Sequence, residues 1–180
     1  MKLLCVWFLA LAAAASIPPR DIPRHNLNLY QREGVFEGGT KARAVLDGIQ
    51  AVQSQSGTER WTLLFSDETG RLKNTVPRFQ IRFEPEETLV QDGEPVLGKP
   101  PRLVITLQGI SDHKILPHHL SQLSRSSKLV REAVLYPPIE DGDRVLELIL
   151  AENVAFETFQ PTQKTGQLVV LLRGQTRALH

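Results

Sequence analysis

The chain has 180 residues, a formal net charge of +1 at pH 7 and an apolar content of 41%. A chain of this length is expected to form one domain with a substantial core. Its lysines and arginines are scattered among acidic residues rather than gathered in a basic stripe, so nucleic acid is not an expected partner.

Residues 1–15 have the pattern of a signal peptide. Lys2 supplies the positive start, an apolar run covers Leu3 to Leu11, and small residues precede Ser16. The alternative is an uncleaved anchor, but crossing a bilayer takes about 20 apolar residues, and no membrane span is expected after cleavage. The only cysteine, Cys5, lies within this segment, so the exported chain would form no disulfide. Export without disulfides favours a bacterial periplasm.

Residues 16–43 contain prolines, asparagines and glycines without apolar periodicity, which predicts an extended leader. Strand patterns then follow in "ARAVLDGIQAVQS", "ERWTLLFS", "PRFQIRFEP" and "RLVITLQG". Alternation in the second and third of these predicts two inward-facing rows, formed by Trp61, Leu63, Phe65, Phe79, Ile81 and Phe83. The acidic stretch 84–101 is predicted to be a long loop that could contain a small hairpin.

A connector with one helical turn around His118 to Leu123 is predicted to separate the two halves of the domain. The second half repeats the strand patterns in "LVREAVLYP", "RVLELILA", "VAFETFQPT" and "QLVVLLRG", with an Asp-Gly hairpin turn after the first. A tail at 177–180 follows the domain, which is assigned to 44–176.

The two halves resemble each other strand by strand. "ERWTLLFS" corresponds to "DRVLELILA", "RFQIRF" to "VAFETF", and "RLVITLQG" to "QLVVLLRG". About eight short strands with little helix predict an all-β, two-sheet β-sandwich with internal pseudo-two-fold duplication. Several strands are apolar on both faces, which predicts either covered strands or an exposed apolar docking surface.

This duplicated pattern, with "RLVITLQG", an "LP" element in the connector and "DRVLELIL … GQLVVLLRG", resembles the AMIN domain. That family occurs at the N-terminus of periplasmic N-acetylmuramoyl-L-alanine amidases and pilus secretins, where it binds or localises to peptidoglycan. The resemblance covers residues 44–174 and implies a peptidoglycan-binding module without catalysis. The stretch 84–101 departs from the family pattern. In the family, the domain usually precedes a catalytic or channel domain. Because this sequence ends at His180, a stand-alone module is expected here.

Candidate ligand-binding residues lie on the predicted strands. Arg60 and Arg144 are predicted to begin equivalent strands, where a guanidinium could grip stem-peptide carboxylates bidentately. Gln80, Arg82 and Glu157 are expected on neighbouring strands, where they could hydrogen-bond sugar hydroxyls and amides. The alternative is that the two strand-starting arginines are solvated or paired with a nearby acid. Trp61 could stack on a sugar, although its alternation favours the core.

The usual catalytic patterns are missing, so an enzyme is not expected and no cofactor is predicted. The cluster "SDHKILPHH" contains potential zinc ligands, which leaves a small metallohydrolase as a minor alternative. "IEDGDR" fits a hairpin turn better than a calcium loop. The main functional alternative is a protein-docking subunit of an envelope assembly, with a cell-wall hydrolase or a secretin as its partner.

Overall fold

The structure is a computed structural model that describes residues 35–54, 57–71, 75–91, 94–139, 142–161 and 166–174. The side chains of 88–97 are outside this description. The predicted signal peptide, the first part of the predicted leader and the predicted tail also lie outside the described residues. Among the described residues, no helix has the length and apolar character needed to span a membrane.

Two five-stranded sheets pack against each other and form an all-β sandwich, which confirms the predicted fold class. A separate two-stranded hairpin and one helix complete the described elements. In chain order they are β1 (Val35–Gly38), β2 (Ala44–Gln53), β3 (Thr58–Ser66), β4 (Phe79–Glu84), β5 (Glu87–Gln91), β6 (Glu94–Lys99), β7 (Arg102–Leu107), β8 (Ile110–His113), α1 (Pro117–Ser126), β9 (Val130–Leu135), β10 (Arg144–Leu150), β11 (Val154–Phe159) and β12 (Gln167–Gly174).

The strand order shows how the two halves of the sequence combine. The first sheet has the order β1-β4-β7-β10-β9, and the second sheet has the order β11-β12-β3-β2-β8. Replacing each strand by its counterpart in the other half converts β4-β7-β10-β9 into β11-β12-β3-β2. Each half therefore contributes two of these strands to each sheet, and neither sheet is built from one half alone.

The core lies between the sheets and comes from alternate strand positions. Trp61, Leu63 and Phe65 are fully buried, and the exposed fraction of the Trp61 side chain is 0%. This burial confirms the predicted core role of Trp61 and removes it as a sugar-stacking surface. On the opposite sheet, β4 alternates between buried and exposed positions along its first five residues, as its sequence pattern predicts.

Four described strands add to the eight that the sequence predicts. β1 falls within the predicted leader and pairs with β4, and β5 and β6 form a hairpin within the predicted loop. β8 pairs in parallel with the start of β2. Both β1 and β8 have only four residues, and four residues are too few for an alternation pattern to be recognised.

The connector between the halves contains a longer helix than predicted. α1 begins at Pro117, whose fixed φ angle suits the first helical position, and buries Leu120 and Ser124. The segment that leaves this helix reaches the start of β3, where the Glu59 side chain accepts its hydrogen bonds. The connector thus bridges the two sheets at one end of the sandwich.

The apolar second face of β12 does not form a freely exposed surface. Val169 on that face is only 1% exposed, and Leu171 beside it is half-buried. The equivalent positions of β7, Val104 and Thr106, are also half-buried. Two explanations were predicted for strands that are apolar on both faces. Covered strands fit these residues better than an exposed docking surface.

Candidate functional site

Glu59 and Arg144 occupy equivalent positions in the two halves. Leu107 and Leu172 hold the same place in the repeated motifs "RLVITLQG" and "QLVVLLRG". Leu107 pairs with Arg144 on β10, whereas Leu172 pairs with Glu59 on β3. The predicted equivalence of Arg60 with Arg144 is therefore wrong by one residue. Because a shift of one residue moves a side chain to the other face of a strand, Arg60 is exposed and Arg144 is buried.

Glu59 is part of the structure of the domain. Its side chain is 3% exposed and lies on the inward-facing row of β3. Its carboxylate accepts hydrogen bonds from the Ser127 hydroxyl, from the Lys128 N–H at 2.6 Å and from the Leu129 N–H at 3.0 Å. The Gln53 side-chain amide contributes a longer contact of 3.4 Å. These bonds compensate the burial of a charge and hold the connector against β3.

Arg144 faces a cleft instead of a segment of its own chain. The Arg144 cleft has a volume of about 720 Å³ and lies where β10 begins. Its lining combines the guanidinium with backbone-rich and apolar walls, and it includes Arg43, Gly109, Ser111, Ile139 and Gly142. A volume of this size is within the range of small-ligand sites.

The Arg144 side chain is the charged donor among the described buried side-chain atoms that have no hydrogen-bond partner. The residue is 9% exposed, and its Nε–H is buried without an acceptor among the described residues. The described acids, including the adjacent Asp143, form no ion pair with Arg144. A buried charged donor without an acceptor destabilises a protein by about 1–3 kcal/mol or more.

A second basic cleft adjoins the first. It has a volume of about 260 Å³ and is lined by Lys41, Arg43, Arg78 and Gln108. Arg43 and Gly109 line both clefts, so the two lie side by side in one basic region. The basic residues of this region form no ion pair with a described acid. A concave region with several unpaired cations attracts anions.

Gln80 and Arg82 lie on the outward face of β4, and both have protein partners. The Gln80 side-chain amide donates to the Glu37 carboxylate at 2.8 Å. Arg82 forms an ion pair with Glu84 at 2.5 Å. These two predicted ligand residues therefore belong to a network of polar contacts on the outer face of the first sheet.

That network continues across the first sheet. Arg102 bridges Glu84 and Glu147, with N–O distances of 2.5 Å and 3.1 Å. Burial alone would raise the pKa of Glu84, but the hydrogen bond and charge of Arg102 and the charge of Arg82 outweigh it and lower the pKa below 4.5. The hydrogen bond to Glu84 likewise raises the pKa of Arg102. These linked charges tie together strands from both halves of the chain.

Tyr136 extends the network toward the Arg144 cleft. Its hydroxyl donates to Glu147 at 2.5 Å. This hydrogen bond, together with burial, raises the pKa of Tyr136 above 10.0. Three residues farther along the chain, Ile139 lines the cleft and is 58% exposed.

Arg60 and Glu157 lie on the second sheet. Both are directly opposite Leu171, Arg60 on one side and Glu157 on the other. Glu157 is 8% exposed, whereas Arg60 is exposed. The expectation that Glu157 neighbours Gln80 and Arg82 is wrong, because β11 and β4 belong to different sheets. The five predicted ligand residues are thus distributed over two sheets, and only Arg144 lines the cleft.

Lys41, Arg43 and Arg78 are not among the ligand residues predicted from the sequence. Lys41 and Arg43 fall at the end of the predicted leader, and Arg78 comes just before a strand. Arg43 and Arg78 come immediately before a strand and Lys41 lies three residues before one, which places these side chains at the end of the sandwich. That signal is visible in the sequence, but its meaning depends on which strand ends meet in the fold.

The histidine cluster of the connector does not converge. His119 Nε2 contacts the Ile49 carbonyl oxygen at 2.9 Å, and His118 is exposed on α1. Within the described ranges, no group of three or more potential ligands is arranged to hold a metal ion. The described residues of this histidine cluster therefore do not form a metal centre for a hydrolase.

Comparison with known proteins gives no family assignment. No family model matches this chain, and no curated protein sequence matches it. The AMIN resemblance therefore remains a prediction from the sequence motifs.

Proposed function

We propose that this chain is a non-catalytic peptidoglycan-binding or targeting module of the bacterial cell envelope, exported to the periplasm. In this proposal, the Arg144 cleft holds a carboxylate of the peptidoglycan stem peptides. The single observation that carries the proposal is the buried Arg144 guanidinium, whose Nε–H has no acceptor among the described residues and which lines a cleft beside Arg43.

The chemistry of the cleft supports a carboxylate ligand. A guanidinium presents donors in a planar fork that matches the two oxygens of a carboxylate. Arg43, at the rim, adds a second positive charge to the same cleft. Peptidoglycan stem peptides are rich in carboxylates, and the AMIN resemblance independently suggests the same polymer.

The direct test is co-sedimentation of the purified protein with isolated peptidoglycan sacculi. We expect the wild type to sediment and Arg144→Met to remain largely in the supernatant. Arg60→Met is the matched control, because it removes the same charge from an exposed position outside the cleft. Circular dichroism of each variant verifies folding before binding is compared.

Two results would overturn this assignment. Wild-type protein that remains in the supernatant excludes peptidoglycan binding, and recovery of one stoichiometric partner from envelope extract would then select the protein-docking alternative. Equal sedimentation of wild type and a folded Arg144→Met variant would show that the polymer binds elsewhere on the domain.

A further inference from the structure

The Arg144 cleft is amphipathic, which restricts the kind of carboxylate it suits. Its basic residues are Arg144 and Arg43, and its apolar lining includes Pro138 and Ile139. Ile139 is 58% exposed, so its side chain is available to a ligand rather than committed to the core. A ligand that fits both parts must carry an apolar group close to its carboxylate.

The backbone around Arg144 leaves room for the end of a ligand. Gly109 and Gly142 line the cleft without side chains, and both have positive φ angles, of 71° and 80°. A Cβ atom at Gly142 would lie 3.2 Å from the Ile110 carbonyl oxygen, so glycine allows the hairpin turn to approach β8 closely. The Ser111 hydroxyl donates to the Ala44 carbonyl. Arg144 and Arg43 are the charged side chains of the cleft.

We propose that this cleft recognises the free terminal carboxylate of a peptide that ends in alanine, as in a stem peptide that is not cross-linked. This inference rests on the proposed function and adds which carboxylate is bound. A terminal alanine places a methyl group one carbon away from its carboxylate, which suits a cleft lined by Arg144 together with Pro138 and Ile139. The donor stem of a cross-link has lost this carboxylate to an amide bond, and an amide cannot form the same charge-assisted pair.

The position equivalent to Arg144 in the first half of the domain has a different environment. There, Glu59 accepts hydrogen bonds from backbone N–H groups of the connector. At the Arg144 position the charge is reversed, so the corresponding partner should be an acceptor rather than a donor. A peptide terminus is such an acceptor, and it can arrive from another molecule.

The test is isothermal titration of the wild-type protein with two matched probes, acetyl-L-lysyl-D-alanyl-D-alanine and its C-terminal carboxamide. We expect the free acid to bind at least about ten-fold more tightly than the carboxamide, since one charge-assisted pair is lost. Raising the salt concentration should weaken binding of the free acid more than binding of the carboxamide.

Substitutions identify the residues responsible for the preference for the free acid. Arg144→Met should abolish the preference for the free acid, and Arg43→Met should reduce it, whereas Arg60→Met should leave it unchanged. The comparison between the two probes uses wild-type protein alone, so it remains decisive even where Arg144→Met does not fold. Equal affinity for the acid and the carboxamide, or a preference that survives in a folded Arg144→Met variant, would overturn the inference.

The sacculus assay separates this inference from the proposed function. Wild-type protein that sediments with sacculi but binds both peptide probes equally would keep the proposed function and reject terminal-carboxylate recognition. Protein that neither sediments nor binds the free acid would reject both. Sedimentation that decreases when both D-alanines are first removed from the uncross-linked stems of the sacculi would support the inference on the intact polymer.

Discussion

Glu59 and Arg144 occupy equivalent inward-facing positions in the two halves of this domain, but they carry opposite charges. Their partners on the neighbouring strands, Leu172 and Leu107, come from the repeated motif that closes each half. Glu59 accepts hydrogen bonds from the connector, whereas Arg144 lines a cleft and its Nε–H has no described acceptor. Of the two equivalent positions in the duplicated fold, one is thus bonded to its own chain and the other lines a basic cleft.

Glu59→Gln should destabilise the domain without affecting the Arg144 cleft. Both backbone N–H groups bond to Oε1, which glutamine retains, so the substitution removes the charge that strengthens these bonds and replaces Oε2, the acceptor of the Ser127 hydroxyl, by an NH2 group. We expect the free energy of unfolding to fall by about 1–3 kcal/mol. Urea denaturation measures this, with Glu68→Gln in an exposed turn as the control. Equal stability of the two variants would contradict the role assigned to Glu59.

Glu84→Gln should remove part of the dependence of stability on pH. Because the pKa of Glu84 is lowered in the folded state, the ionised side chain stabilises the domain at pH values above the ordinary pKa of 4.5. That contribution is lost as the pH falls through the folded-state pKa. We expect wild type to be more stable than Glu84→Gln at pH 7. The two free energies of unfolding should converge below pH 4.5. A difference that stays constant with pH would argue against the ion-pair network.

Tyr136 should ionise at higher pH than an exposed tyrosine. The hydrogen bond to Glu147 raises its pKa above 10.0, and Glu147→Gln should lower that pKa by removing the negative charge. Absorbance at alkaline pH measures the ionisation. Subtracting the curve of Tyr136→Phe isolates this residue from the other tyrosine of the chain. An unchanged pKa in Glu147→Gln would mean that the contact is not formed in solution.

The two halves of the sequence should not fold separately. Because β3 pairs with β12 and β7 pairs with β10, each half leaves strands unpaired when the other is absent. We expect fragments 35–113 and 114–174 to lack stable sheet structure alone and to gain it when mixed. Circular dichroism and size-exclusion chromatography follow this assembly. A fragment that unfolds cooperatively as an isolated monomer would contradict the interlocked arrangement.

Much of the fold could be predicted from the sequence. The alternation of Phe79, Ile81 and Phe83 identified a strand and its buried face, and the repeated motifs identified the duplication. Short edge strands such as β1 escaped prediction, because four residues carry little periodicity and an edge strand gains its stability from pairing.

The candidate site was only partly predictable. Arg144 was identified because it follows a turn and begins a strand, but its alignment with Arg60 was wrong by one residue. That error matched an outward position of β3 with an inward position of β10, a distinction that sequence similarity between loose apolar motifs does not resolve. Arg43 and Arg78 could not be grouped with Arg144, since strand pairing alone brings these separate segments to one end of the sandwich.

The most direct test of the central claim is to map ligand contacts by nuclear magnetic resonance with a soluble, uncross-linked muropeptide. The account predicts that the Arg144 side-chain Nε–H signal and the backbone amides of Gly109, Ser111 and Gly142 shift on titration, while signals near Arg60 stay in place. Shifts restricted to the outer face around Gln80 and Arg82, or no shift at all, would contradict it.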